Sequence, residues 1–451
     1  MNDNIALLKN ILGSLKEEKK YNSIRDILAT LNPADIAEIF SQVPQQHLVL
    51  LFRLLPKEAA AETFVEMDPD LQEILIRGFS DNELKDVLND LYADDAVDLI
   101  EEMPSNVVTR ILRQADPEMR RMINELLRYP EDTAGSIMTV EYMALSPNMN
   151  SEQAIDLIRK TGMDKDTINF CYVVDGGNHL IGVVSLRSLI MAKVDSVISD
   201  FMEDNVISVS THLDQEAVAQ MFAKYNLGAI PVTDGEGRLV GVVTVDDAID
   251  VLQQETNEDI AKMAAITPSE RPYIKTSVFT LWKNRIPWLL LLMISATVTG
   301  MIITNFEDAL SAYVILTAYI PMLMDTGGNC GSQASVTVIR ALSLGQLKFS
   351  DIFKVIFKEA RVSLMCGATL SAVNFLKLLF IDKVGLYVAL TICFTLLVTV
   401  FVAKLVGCSL PMLAKRIGFD PAVMASPFIT TIVDALSLVI YFRFASLFLG
   451  I

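Results

Sequence analysis

Five stretches of bilayer length, nearly free of charge, crowd into residues 271–451, and no other feature constrains the fold as tightly. A hydrocarbon core about 30 Å thick is crossed by a helix of about 20 apolar residues. Residues 286–304 carry no charge, and residues 309–339 carry only Asp325. Residues 362–376 are uncharged, and that run continues past Lys377 to Ile381. Residues 384–403 are uncharged and extend past Lys404 to about Leu413, while residues 421–450 hold only Asp434 and Arg443. The pattern predicts a five-helix α transmembrane domain. Its orientation follows from the loops. Lys275, Lys283 and Arg285 precede the first span, Arg340, Lys348, Lys354, Lys358 and Arg361 separate the second from the third, and Lys415 and Arg416 separate the fourth from the fifth. The alternate loops hold Glu307 and Asp308, then Lys377, Asp382 and Lys383. A multi-pass protein of the cell (inner) membrane is expected, with the N-terminus cytosolic and the C-terminus outside.

The formal net charge is −18, yet 52% of residues are hydrophobic. Residues 1–270 hold 47 acidic and 22 basic side chains, a net of −25, and residues 271–451 hold 8 and 15, a net of +7. Two physical environments are therefore expected rather than one core. No dense Lys/Arg patch exists in either part, so no nucleic acid is expected as a partner. The five cysteines show no CxxC spacing, which predicts neither a disulfide framework nor a zinc site. The start, MNDNIALLKN, lacks the pattern of a secretory signal. With only His47, His179 and His212, no P-loop and no nucleophile–base constellation, an enzyme is the least expected class.

Residues 1–134 read as a helical domain. LNPADIAEIFSQVP (31–44), LPKEAAAETFVEMDP (55–69) and YADDAVDLIEEMP (92–104) are variants of one unit with helical apolar spacing and a terminating proline, which suggests a superhelical stack. Residues 135–256 contain a clearer repeat. CYVVDGGNHLIGVVSLRSLI (171–190) matches AIPVTDGEGRLVGVVTVDDAID (229–250) at an offset of 59, and SIMTVEYMALSPNMNSEQAIDLIRK (136–160) matches DFMEDNVISVSTHLDQEAVAQMFAK (200–224) at an offset of 64. Each copy reads strand, helix, strand, DG turn, strand, helix. The repeat resembles a tandem pair of CBS domains, an α+β module that pairs into a disc and often binds nucleotides. The expected organisation is multidomain: an all-α superhelical N-domain at 1–134, CBS domains at 135–199 and 200–250, a connecting (plug) helix at 251–275, and the transmembrane domain at 276–451.

Two spans are chemically unusual. Asp434 lies inside PFITTIVDALSLVIYF, where a carboxylate at mid-bilayer costs about 2.5–3.5 kcal/mol. Such a group needs a polar cavity, a partner or a cation. PMLMDTGGNCGSQAS (321–335) places Pro321, Gly327, Gly328 and Gly331 in one span, a composition that predicts a broken helix with freed carbonyls lining a polar path. The alternative is a packing motif, because glycine faces also bring helices together. All candidate ligands are oxygen, which suits Mg²⁺ or Ca²⁺ better than zinc or copper.

PMLMDTGGNCGSQ, Asp434, the GFDPA turn and the preceding CBS pair together resemble the MgtE family of magnesium channels or transporters, across essentially the whole chain and in the family's order. The resemblance implies a homodimer with a pore between protomers, ion selectivity at Asp434, and a pore lining that includes Gly327, Gly328 and Asn329. It also implies closure when Mg²⁺ bridges acidic residues, carried over to Asp94, Asp98, Glu216, Asp247, Asp250, Glu255, Glu258, Asp259 and Asp420. Asn226 departs from the acid expected there, and the role of Asp325 stays open. From the residues alone, Asp94 and Asp98 share a helix face at i,i+4, and like charges so placed repel unless a cation lies between them. Thr244-x-x-Asp247 also fits the start of a nucleotide-binding CBS helix, so ATP or another adenine nucleotide is a candidate ligand, although the first copy has Ser185 and Ser188 without the acid. The remaining alternatives are a carrier for Co²⁺ or Ca²⁺ and a membrane-anchored CBS sensor that transports nothing.

Overall fold

Prolines and caps cut the first part of the chain into short helices, as the repeated units predict. The computed structural model describes residues 21–269, 273–274, 276–307, 311, 313–424 and 426–450. The secretory-signal question at the N-terminus, and parts of the expected connecting helix and second span, lie outside them. Helices α1 (Tyr21–Leu28), α2 (Pro33–Ser41), α3 (Gln45–Phe52), α4 (Lys57–Val65), α5 (Pro69–Gly78), α6 (Asp81–Asn89), α7 (Ala93–Glu102), α8 (Ser105–Gln114) and α9 (Pro117–Leu126) follow in order. Proline occupies the first helical position of α2, α5 and α9, where its missing N–H has no helical partner to lose. Ser80 and Glu83 cap α6 reciprocally. From α2 onward, helices pack mainly on their next-but-one neighbours: α2 on α4, α3 on α5, α4 on α6, α6 on α8, α7 on α9. The core between them holds Phe40, Phe52, Phe64 and Phe79 and continues into Val218, Ile230 and Val243 further along the chain.

The repeat folds as two three-stranded sheets. In the first, β1 (Met143–Leu145) pairs parallel with β2 (Phe170–Val174), which pairs antiparallel with β3 (Leu180–Ser185). Helix α10 (Ser151–Thr161) connects β1 to β2, and α11 (Leu186–Met191) follows β3. The second copy repeats this with β4 (Val209–Ser210), α12 (Gln215–Tyr225), β5 (Ala229–Thr233), β6 (Leu239–Thr244) and α13 (Val245–Met263). The DG turns are alike: Asp175 Oδ1 accepts the N–H groups of Gly177 and His179, and Asp234 Oδ1 accepts those of Glu236 and Arg238. The left-handed position of the turn is Gly237 (φ +83°) in one copy and Asn178 (φ 64°) in the other.

The copies clasp each other reciprocally. Thr139, at the start of the first copy, bridges Val242 of the second, and Glu203, at the start of the second copy, bridges Val183 of the first. A Cβ on Gly241 would meet Met138 Sδ at 2.5 Å, and one on Gly182 would meet Met202 Sδ at 2.7 Å. The glycines shared by the repeat therefore make room for methionines lent by the opposite copy.

The second compact unit, residues 253–450, consists of α14 (Val278–Asn305), α15 (Ile320–Ser343), α16 (Ile352–Phe380), α17 (Leu386–Arg416) and α18 (Ser426–Leu449), together with the end of α13. Among the described residues, four segments are long and apolar enough to cross a membrane: Val278–Asn305, Phe349–Phe380, Leu386–Arg416 and Pro421–Leu449. The second expected span, α15, has 24 residues, but its polar positions from Asp325 to Arg340 keep it below that measure. One face of it packs against α17 and α18, while Asp325, Asn329, Gln333 and Arg340 lie on the exposed face. The expected connecting helix, 251–275, is the continuation of the last CBS helix and ends at Met263.

Candidate functional site

Three groupings of the expected residues emerge, two outside the spans and one within them. The first forms around α7. Its apolar side buries Ala93, Ala96, Val97, Leu99 and Ile100, which turns Asp94, Asp95 and Asp98 toward the CBS copies. The helix N-terminus is met by Glu141, whose Oε1 accepts from Ala93 N at 3.2 Å while its Oε2 accepts from Thr139 Oγ1 at 2.9 Å. Asp166 N in turn donates to Glu141 O at 3.1 Å. From the second copy comes Asp247, whose Oδ2 accepts from Thr244 Oγ1 at 2.6 Å. The equivalent start of α11 has Ser185 and Ser188 hydroxyls 2.8 Å apart.

These carboxylates crowd one another. Burial, followed by the charges of Asp95, Asp247 and Glu141, raises Asp94 well above the ordinary carboxylate range. Asp95 is pushed to about 6 by burial and then by Asp247 and Asp166. Asp98 goes to about 7, chiefly from the protein packed around it and then from Asp95, although its side chain still reaches solvent. Asp166 goes to about 6 by burial and then by Asp246 and Asp247. Among the described residues no lysine or arginine pairs with Asp94, Asp95, Asp98, Asp166 or Asp247, and Asp94 Oδ1 is buried without any hydrogen bond. An orphaned anionic oxygen in an all-oxygen, like-charged crowd fits a hard divalent cation with its waters. Among the described residues, however, no three carboxylate, imidazole or thiol groups are arranged as a metal cage. Glu141 and Asp166 were not expected from sequence, because each is an isolated acid outside the repeated helices. Asp250 lies one turn beyond Asp246 and is exposed. Glu216 stands in the first turn of α12, where Gln220 donates to it at 3.1 Å. Asn226 ends that helix in the left-handed conformation (φ 52°), which asparagine tolerates.

The second grouping is at the end of α13. Lys262 Nζ lies 2.5 Å from Glu258 Oε1 and 2.7 Å from Asp420 Oδ2, and Ser343 Oγ donates to Asp259 Oδ2 at 3.1 Å. Glu255 lies one turn earlier on the same helix.

The third grouping is where α15, α17 and α18 meet. Helix α15 runs unbroken through Gly327, Gly328 and Gly331, so the expected break and its freed carbonyls are not present. The glycines bring helices together instead. A Cβ on Gly327 would meet Thr399 Cγ2 at 2.8 Å and Ser437 Oγ at 2.9 Å, and one on Gly407 would collide with Gly331 O. Asp434 is half-buried on α18, with its Oδ1 3.8 Å from where a Gly328 Cβ would stand. Asp325 is within electrostatic reach of Asp434, and with Asn329, one turn on, forms the exposed face of α15. Thr399 Oγ1, buried against this seam without a hydrogen-bond partner, is a further polar group that hydropathy alone does not single out.

Comparison with known proteins covers the whole of this architecture. Residues 320–444 match the MgtE divalent cation transporter family, residues 31–132 the MgtE intracellular N domain, and residues 134–195 and 198–254 CBS domains. The magnesium transporter MgtE of Thermus thermophilus is 36% identical over 442 residues, 96% of each chain. That of Bacillus subtilis is 31% identical over 439 residues, again 96% of each. A solved cytosolic domain of the Mg²⁺ channel MgtE in complex with ATP is 34% identical, with a TM-score of 0.52 over 54% of this chain and 99% of that one. The soluble part of a magnesium transporter gives 32% and 0.52, covering 56% of this chain and 99% of that one. Inosine-5′-monophosphate dehydrogenases match through CBS domains alone, over 29% of this chain in one case.

Proposed function

This chain belongs to the MgtE family and is a membrane transporter of Mg²⁺, and on that premise we propose that its acidic N-terminal unit senses internal Mg²⁺ and closes the pathway. One observation carries the sensing role: the unpaired carboxylate crowd of Asp94, Asp95, Asp98, Asp166 and Asp247, with Asp94 Oδ1 buried and unsatisfied. Without a cation, these like charges push α7 away from the CBS copies. A bound Mg²⁺ neutralises them and favours the arrangement in which they face each other. A ligand shifts such an equilibrium only by its differential affinity for the two states, and these carboxylates adjoin only in one of them. Glu216, Asp250, Glu255 and Asp259 extend the proposed set of sensing residues, while Glu258 and Asp420, expected from the charge pattern to belong to it, already share the ammonium of Lys262. The sensor comprises residues 1–134 and the CBS copies at 135–199 and 200–250, with 251–275 as the link to the membrane domain at 276–451.

In the membrane, Asp434 supplies the fixed negative charge of the pathway, with Asn329 and the glycine face of Gly327 and Gly328 beside it. Mg²⁺ gives up its waters reluctantly, so one carboxylate per protomer suits a hydrated ion. A homodimer is proposed from the apolar surface of the CBS pair, where Ile190, Met191, Val194 and Ile249 are 57–80% exposed. The loop charges support a cytosolic N-terminus and an external C-terminus. ATP at the CBS pair is proposed from the ATP complex of the relative and from Thr244 and Asp247 at the head of α13.

The test is Mg²⁺ flux in vesicles reconstituted with the full chain, at micromolar and at millimolar Mg²⁺ on the face of the N-terminal unit. Flux at the low concentration and its loss at the high one are expected. Flux that ignores Mg²⁺ on that face overturns the sensor.

A further inference from the structure

Four side chains near the end of α13 are spaced so that two contacts form together. Glu258 and Lys262 are i,i+4 on one face, and Asp259 and Met263 are i,i+4 on the next. Met263 packs against Ile339 and Ala422, and Asp259 accepts from Ser343 at 3.1 Å. The Asp420 carboxylate is held in place by the turn it opens, with Oδ1 accepting from Ala422 N at 2.7 Å and Oδ2 left for Lys262 at 2.7 Å. Glu258 Oε1 completes the arrangement at 2.5 Å from the same ammonium. Lys262 is only 25% exposed at its side chain, so it is not a freely solvated lysine. The two carboxylates thus already have a cation between them, at ammonium hydrogen-bonding distances. A hydrated Mg²⁺ would have to displace it and then satisfy an octahedral shell of its own.

We infer that Glu258 and Asp420 take the ammonium of Lys262 in the place where the charge pattern alone calls for Mg²⁺, so that the end of α13 is latched to the Pro421–Met424 turn without any metal. Its regulatory consequence rests on the sensor proposed above: the Mg²⁺ dependence of closure then belongs to the carboxylates around α7, and Lys262 sets a metal-independent bias toward the latched state. Lys262 is a positioning residue, and it touches no transported ion.

The experiment is hydrogen exchange of the backbone amides of residues 256–263 in the full chain in lipid nanodiscs, first in EDTA. Lys262→Met is expected to speed exchange on the order of 3- to 10-fold, the loss of two partly exposed ion pairs. Lys262→Arg should restore it to within about 2-fold, since the charge and reach are kept. Asp420→Asn should match Lys262→Met, and the double variant should exchange no faster than either, because the two partners form one interaction. Unchanged exchange in Lys262→Met, or additive single effects, overturns the latch. So does a Mg²⁺-induced slowing in the wild type that vanishes in Asp420→Asn, since Asp420 would then be holding the metal. The EDTA measurement does not depend on the sensor: flux blind to Mg²⁺ beside a clear Lys262→Met effect would sink the sensor and leave the latch.

Discussion

Two groups of carboxylates, one in each unit of the molecule, are treated in opposite ways. In residues 21–252, Asp94, Asp95, Asp98, Asp166 and Asp247 share one neighbourhood without a basic partner. In residues 253–450, several acids have a basic partner: Asp351 has Lys354, Glu359 has Lys404, Asp382 has Lys377, and Asp420 shares Lys262 with Glu258. Asp434, like Asp325, has no ion pair among the described residues. The difference teaches where a diffusible cation is required. A carboxylate with its own lysine is electrically complete, and one without must take its counter-charge from solution.

The comparison breaks most sharply at Glu359. Lys404 is 5% exposed within the membrane unit, and its ammonium lies 3.9 Å from Glu359 Oε2. Glu359→Gln leaves a buried charge uncompensated, and a loss of about 3 kcal/mol is expected from breaking one side of such a pair, read as a lower melting temperature in detergent. Lys404→Met in the same chain should recover most of it; no recovery would mean that the pair is not coupled. Next in size, Asp434→Asn should cut Mg²⁺ flux about 100-fold, on the order of a 2.7 kcal/mol barrier, whereas Asp382→Asn, already matched by Lys377, should stay within about 2-fold. Equal effects would erase the distinction between paired and unpaired acids.

Asp94→Asn with Asp247→Asn should raise the Mg²⁺ needed for half-closure about 10-fold, or about 1.4 kcal/mol. It should also raise the melting temperature of the N-terminal unit in EDTA, because it removes repulsion. A lower melting temperature would show that these acids have partners after all. The smallest effect is on pH. The carboxyls of Asp95, Asp98 and Asp166 hold protons more tightly folded, near 6 to 7, than unfolded, near 4. Folding therefore takes up protons across that window, and stability in EDTA should fall as pH rises from about 5 to about 7.5. The range stops at 5 because Glu83, lowered to about 2 by Arg53, begins to lose its advantage in stronger acid. A melting temperature independent of pH in EDTA would argue that the crowd is solvated.

Much of this was legible in the residues. The repeat offsets located both sheets, because strand, DG turn and strand carry their own local signals at Asp175 and Asp234. Asp94, Asp98 and Asp247 could be singled out because each stands in a helical run of acids. Glu141 and Asp166 could not, since their importance arises only when the chain brings an isolated acid to another helix. The glycines of α15 suggested a break, and the structure shows why the inference failed. Glycine composition gives the same signal whether a backbone must bend or a neighbour must come close, and only Thr399, Ser437 and Gly407 decide between them. Hydropathy undercounted α15 because it averages over the whole helix, and the polar face of Asp325, Asn329, Gln333 and Arg340 offsets the apolar and glycine face packed on α17 and α18.

The reciprocal clasp of the two CBS copies has a consequence for how the chain can be divided. Met138 fills the space above Gly241 while Met202 fills that above Gly182, so each copy is finished by the opening residues of the other. A protein cut near residue 197 would yield two halves that each lack a lid and carry a spare one. Mixed in solution, such halves should find each other and complement, while either alone should remain sticky and poorly formed. The duplication is thus not two modules in a row but one object written twice, and a bulkier residue at Gly182 or Gly241 must be answered by a smaller one in the other copy.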